Sequence, residues 1–436
     1  MIKMKVEITS RQTIKPSSPT PYHLKNFRLS LLDQLLPSFY GLIVFFYAST
    51  PSTHHQNEDC RSKSCDRSHI LKSSLSKVLT HFYPMAGRLK DATSIDCNDE
   101  GAYFVEARID CQLSDFLKQP DMEALNGFLP TTDPETSKAA SGCNLLVQLT
   151  TFECGGTAIS ICLLHKNTDV SSLATFLQSW TAIARDSGEA VSPEFVGASL
   201  LPPGDLSFMP PVNNPSGNFV TKRFKFEASK IASLKAKAAG QFVPSRVEVV
   251  LALILKCSVA ASRAKSGLAR PIVLFQAVNL RKRIVPPLPE NSIGNLIWTV
   301  PVFLGDGEME LNELVTVMRR EMTQFCNEKA KKFKGDDGFL LITESLKERR
   351  ELCKDAAVYR CTSWCRFPLY EMDYGWGKPV WVSSASLSFR NIVVLIDTKN
   401  GDGIEAWVTL EEQEMSIFEC DKELLGSALL NPSIFI

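Results

Sequence analysis

The stretch "GGTAISICLLHKNTDVSSLATFLQSW", residues 155–180, changes its periodicity halfway, and that change decides how the chain is built. Ala158 to Leu164 is an unbroken apolar run of strand length, and it stops at His165. Such a run, bounded by turn residues, reads as a strand buried on both faces. Gly155-Gly156 supplies a turn in front of it, and "NLLVQLTTFEC" before that turn reads as its partner strand. After Asp169 the apolar residues Leu173, Phe176, Leu177, Trp180 and Ile183 recur at helical spacing. A histidine and a carboxylate thus share one short turn between a buried strand and an amphipathic helix.

The flanking sequence alternates between the same two periods. "GLIVFFYA" reads as a further buried strand, and "ILKSSLSKVLTHFYPMAGRL" as a helix reaching Tyr83 and ended by Pro84 and Gly87. "TSIDCNDEGAYFVEARID" alternates around Asp99-Glu100-Gly101 and predicts a hairpin. Prolines at 193, 202, 203, 210, 211 and 215 rule out regular structure there, so 191–220 is expected to be a crossover linker. It would separate an N-terminal domain, 1–190, from a C-terminal domain, 221–436, with part of 380–410 expected to pack with the first domain. Beyond the linker, "TKRFKFEASKIASLKAKAAG" predicts a strand and a capped helix, and "SRVEVVLALILKCSVAASRAK" a second helix. "PIVLFQAVNLRKRI" predicts a strand and "LNELVTVMRREMTQFCNEKAKKF" one long amphipathic helix. Two strands and a turn at Asn400–Gly403 follow in the tail. The fold class is α+β, with mixed sheets packed under helices.

Composition removes several function classes. Lys and Arg number 48 against 48 Asp and Glu, so the basic surface that a nucleic-acid partner needs is not expected. The apolar stretches "YGLIVFFYA" and "VEVVLALILKCSVAA" fall short of the roughly 20 residues of a membrane span. Thirteen cysteines at irregular spacing lack a paired zinc rhythm and, with no apolar leader, fit a reduced cytoplasmic protein. Of six histidines, His54-His55 sits in a polar segment expected to be a loop, and no metal site is expected. Phosphate-loop, dinucleotide and serine-elbow motifs are absent. His165 is left as the group best placed for proton transfer, with Asp169 as helix cap and anchor of its turn.

A second motif lies far downstream: "YEMDYGWGKPVWV" contains Asp373-Tyr374-Gly375-Trp376-Gly377 before Lys378-Pro379. HxxxD followed about two hundred residues later by D-[FY]-G-W-G-K/R-P resembles the plant BAHD acyl-CoA-dependent acyltransferases, and the texture is similar to their alkaloid-acetylating branch. Further matches, including "LSLLDQLL", "SRVEVVLALI", "QAVNLRKR", "SIGNLI" and "GDGIEAWV", extend the resemblance over nearly the whole chain.

The resemblance implies two chloramphenicol-acetyltransferase-like domains with a solvent channel between them, entered by acyl-CoA from one face and the acceptor from the other. It implies that His165 is the general base of a direct transfer, that Asp169 is orienting and pairs with Arg281, and that Asp373, Gly375, Trp376 and Gly377 are structural and shape the C-terminal domain. Thr362 and Trp364 of "CTSWC" are then expected at the developing oxyanion. Ser245 and Arg246 are expected on CoA, and Ser38 and Tyr40 on the acceptor. The implied substrates are an acyl-CoA, acetyl-CoA first, and a small-molecule alcohol of alkaloid-like character; a different acyl-CoA donor, an amine acceptor or a non-catalytic small-molecule-binding relative are the alternatives. No permanently bound cofactor, nucleic acid or membrane is implied, and the protein is expected to be monomeric.

Overall fold

The computed structural model describes residues 5–49, 60–132, 134–206, 217–307, 309–384 and 389–435. The apolar run becomes the strand Thr157–Leu164, every residue of which is buried. It forms a hairpin with Leu145–Phe152 and pairs on its other side with Tyr40–Tyr47, which places it inside a six-stranded sheet. In spatial order the sheet runs Val6–Ile14, Ala102–Ile109, Leu145–Phe152, Thr157–Leu164, Tyr40–Tyr47 and Trp381–Ser384. The last strand comes from the C-terminal half of the chain. Helices Cys60–His81 and Val170–Ala184 pack together on this sheet, and the buried Trp180 indole donates to the Ser74 hydroxyl at 2.9 Å.

A second sheet of seven strands is built from the C-terminal half, with Ile272–Asn279, Ala357–Ser363, Ile392–Asp397 and Ile404–Glu411 as neighbours along it. Helix Arg246–Ser266 lies on it, starting at a reciprocal Ser245–Glu248 capping box and ending at Gly267 in the left-handed region. Buried polar groups join the two halves. Arg223 pairs with Glu405 at 2.9 Å, and the indole of Trp381 donates to the same carboxylate at 3.1 Å. Near the C-terminus, the Ile434 amide donates to the Leu117 carbonyl at 2.8 Å.

Three expectations are corrected. "TSIDCNDEGAYFVEARID" is not a hairpin: Ser94–Asp96 belongs to a separate three-stranded sheet, while Ala102–Ile109 enters the large one. The residues Asp99-Glu100-Gly101, expected to close a hairpin, are where the chain changes sheets. Gly101, at φ 95°, passes so close to Ile14 that a Cβ would sit 2.4 Å from its carbonyl oxygen. The long helix expected over 311–333 ends at Gln324, widens into a π turn over Phe325–Lys329 and tightens into a 3-10 turn over Ala330–Lys332. A further helix, Gly335–Leu352, follows it. The proline-rich 191–206 also holds one helical turn, Gly197–Leu200. His54 and His55 lie outside the described residues, as do 207–216 of the expected linker.

Candidate active site

His165 follows the last residue of its strand, where the sheet ladder gives way to a turn. Its amide donates to the Phe39 carbonyl at 2.8 Å, and its ring lies 5.0 Å from the Phe39 ring. Gly41 lies alongside the imidazole: a Cβ there would meet Cδ2 in ordinary contact at 3.9 Å. The ring faces a cavity of about 1200 Å³, lined also by Leu35, Leu42, Leu163, Thr362 and Trp364.

The histidine's tautomer follows from its neighbours. Asn295 donates its side-chain N–H groups to Asp33 Oδ1 at 3.0 Å and to the His165 carbonyl at 2.8 Å. Its Oδ1 is thereby turned to the imidazole, 3.1 Å from Nδ1. An amide oxygen only accepts, so Nδ1 carries the proton and Nε2 keeps its lone pair. Asp33 holds this arrangement by accepting also from the Asn295 amide at 2.7 Å and from the Ser30 amide and hydroxyl at 2.9 and 2.6 Å. It is buried, and burial raises its carboxyl above the ordinary value. Burial lowers the His165 pKa, with Asp169, Asn295 and Asp33 opposing in part. Neutral imidazole is the form that accepts a proton, so kcat/KM should hold its plateau below pH 6.5 and fall only in more acid solution. A pH profile with the acid limb at or above 6.5 would contradict this.

Asp169 points away from that ring. It caps helix Val170–Ala184 by accepting from the Ser172 amide at 2.8 Å and also accepts from Leu296 at 3.1 Å. Both its oxygens meet Arg281, at 2.7 and 3.0 Å, with the two side chains almost completely buried. Arg281 spends its remaining donors on the Ser292 and Gly294 carbonyls and the Ser172 hydroxyl. The turn carrying His165 is thus clamped to the segment carrying Asn295.

The structure separates the other expected residues. Thr362 and Trp364 share the cavity with His165. Tyr40 does not line it: its hydroxyl donates to the Cys143 carbonyl at 2.7 Å, and its neighbours Phe39, Gly41 and Leu42 line the cavity instead. Ser38, the other residue expected on the acceptor, is exposed and also outside the lining. Ser245 caps its helix, and Arg246 reaches Asp397 at 3.0 Å and the Gly401 carbonyl at 2.6 Å. They stand at the start of a helix of 21 residues, about 30 Å long, whose far end borders the cavity.

The Asp373 segment is remote from His165. Asp373 Oδ1 accepts from the Gly375 and Gly377 amides at 2.8 and 2.9 Å, and both glycines have positive φ. Trp376 stacks on Tyr374 at 5.6 Å and lies under the Arg67 guanidinium at 5.3 Å, while Tyr374 meets Trp180 edge-on at 5.0 Å. The motif therefore packs on the N-terminal core, not within the C-terminal domain as expected. The Tyr374 hydroxyl is buried without a hydrogen-bond partner among the described residues. Tyr374→Phe should therefore raise stability by about 1 kcal/mol, read as a higher urea midpoint. A lower midpoint would show that the hydroxyl has a partner.

Asp33 and Asn295 carry no role in the sequence reading, although "LSLLDQLL" and "SIGNLI" both stood out in it. The S-x-x-D spacing of Ser30 and Asp33 was a legible capping signal, and the structure uses it as a capping box. Among the described residues no group of three or more metal-ligating side chains converges, and no helix is long and apolar enough to cross a membrane.

The sequence model described as "Transferase family" matches residues 4–425. Akuammiline synthase 1 of Alstonia scholaris is 43% identical over 427 residues, covering 97% of each chain. This chain belongs to the BAHD acyltransferase family. Epi-neemfruitin B 7-O-acetyltransferase of Melia azedarach is 41% identical over 452 residues, covering 99% of this BAHD chain and 100% of its own. The crystal structure of vinorine synthase superimposes with a TM-score of 0.84 at 37% identity, covering 97% and 98% of the two chains. The α+β fold is that of the family, and the protein is an acyltransferase.

Proposed function

We propose that this BAHD enzyme transfers an acetyl group from acetyl-CoA directly to a hydroxyl of a bulky polycyclic plant metabolite, alkaloid-like in frame, as a cytoplasmic monomer. The observation that carries the reading is the Asn295 amide, oriented by Asp33, which leaves His165 Nε2 as a free base at the cavity. Nε2 takes the proton of the acceptor hydroxyl as its oxygen attacks the thioester carbonyl. The oxyanion that forms accepts hydrogen bonds from the Thr362 hydroxyl and the Trp364 indole N–H. Collapse breaks the carbon–sulfur bond, and the departing CoA thiolate takes up the proton that the imidazolium received from the acceptor hydroxyl. Acyl-CoA approaches from the face where helix Arg246–Ser266 begins, with Ser245 and Arg246 at that mouth, and the acceptor enters from the other. Names of the relatives and a largely apolar cavity of this size support the acceptor class.

The test is to mix the protein with acetyl-CoA and a panel of polycyclic alcohols, following free thiol and product mass. Acetylated product with stoichiometric thiol is expected, and no acetyl adduct on the protein incubated with acetyl-CoA alone. A stable adduct on a cysteine or serine that is chased into product would overturn direct transfer.

A further inference from the structure

The charges lining the cavity are nearly all of one sign. Among the described residues two carboxylates line it, Asp169 and Glu414, and both are committed. Asp169 is locked to Arg281, and Glu414 accepts from Arg390 at 2.9 Å and from the Ser262 hydroxyl at 3.0 Å. Lys265, also on the wall, pairs with Glu411. Against these stand Arg263, Arg270, Lys347, Arg349, Arg350 and Arg360, which line the same cavity and have no carboxylate within ion-pair range among the described residues.

Arg349 shows how firmly such a charge is built in. Its guanidinium lies 4.4 Å from the Phe275 ring centroid and 5.4 Å from that of Trp298, and it donates to Thr299. Burial brings its pKa down to about 10, and Arg360 pushes in the same direction, so the group stays cationic at neutral pH. Arg360 is enclosed by the fold yet solvent-exposed, because the cavity itself brings solvent to it. A cationic guest would lose hydration, meet like charge and find no free carboxylate.

We infer that the acceptor binds without positive charge: the cavity takes neutral polycyclic alcohols, and an alcohol bearing an amine only as its free base. This rests on the acetyl-transfer reading above and narrows its acceptor class. The two carboxylates, the paired and unpaired cations named here and His165 are the charged or readily titrating groups facing the guest. None supplies a counter-ion for an ammonium.

The experiment uses three forms of one polycyclic alcohol with wild-type enzyme and acetyl-CoA: the tertiary amine, its N-acyl amide and its quaternary N-methyl salt. The amide is expected to turn over with kcat/KM flat across the alkaline plateau of His165. For the amine, kcat/KM should rise about tenfold per pH unit up to the amine's own pKa, following its free-base fraction. Turnover of the quaternary salt should be at least 100-fold below that of the amide, and Arg360→Gln should narrow that gap several-fold. Quaternary salt and amide acetylated at similar rates would overturn the inference and leave the acetyltransferase reading standing. If all three forms and the wider alcohol panel failed to release thiol, the acetyl-transfer reading itself would fall, and this inference with it.

Discussion

His165→Ala is expected to lower kcat for thiol release by about 10² to 10⁴ at saturating acetyl-CoA and acceptor, the range for loss of a positioned general base. The fold should survive the change. The ring is only partly enclosed and fronts an existing cavity, so its removal extends that cavity and does not open a void in the core. The contacts that hold the turn use the His165 backbone: its amide to Phe39 and its carbonyl from Asn295. Both persist in the alanine variant. The unfolding midpoint should stay near that of wild type, and the KM for acetyl-CoA should change little, because the base acts on the acceptor hydroxyl. Asn295→Ala removes the group that selects the tautomer and one contact to the turn's backbone, leaves the imidazole in place, and should cost less than loss of the ring. A His165→Ala enzyme keeping more than a tenth of wild-type kcat would mean that another group takes the proton.

How much of this was legible in the sequence depended on distance along the chain. His165 and Asp169 share a local pattern, a strand-length apolar run and then a cap with helical spacing, and both elements fall where that pattern put them. The Asp33–Asn295 contact joins segments 262 residues apart, so no local period reports it. The cavity lining at the start of strand Tyr40–Tyr47 was missed for a subtler reason. "LPSFYG" reads as the lead into a strand, but alternation fixes which residues share a face and not which face meets the cavity. Tertiary placement decides that, and it puts Phe39, Gly41 and Leu42 on the cavity.

The cationic wall was hidden in the same way. Its residues come from the end of helix Arg246–Ser266, the connection after it that carries Arg270, the helix Gly335–Leu352 and the strand Ala357–Ser363. The chain as a whole is neutral, so net charge gave no sign of them. Helix Gly335–Leu352 went unread because it opens on Gly335, with Gly338 inside its first turn and charged residues filling its last two. Glycine normally weakens a helix, but here Gly338 is required: a Cβ would lie 2.6 Å from Leu201. Packing against the linker overrides propensity at that point.

Asp169→Ala should be the most destabilising single change at the site, costing about 3–5 kcal/mol, because it leaves the Arg281 guanidinium buried without its counter-ion. Arg281 is 1% exposed and has no route to solvent. The remaining carbonyl and hydroxyl partners satisfy its N–H groups but do not neutralise its charge. Loss of the helix cap adds to the cost. Asp169→Asn keeps a cap acceptor while removing the charge, so its midpoint should lie between alanine and wild type. The discriminating variant removes both partners. If the damage comes from the stranded charge, Asp169→Ala with Arg281→Met should recover part of the loss and unfold at higher urea than Asp169→Ala alone. If the double variant were the weaker, the pair would be stabilising through its hydrogen bonds. Activity separates orientation from stability: once folded, Asp169→Asn should retain the acid limb set by His165 but show a reduced kcat, since the turn carrying the base is no longer clamped to the segment carrying Asn295.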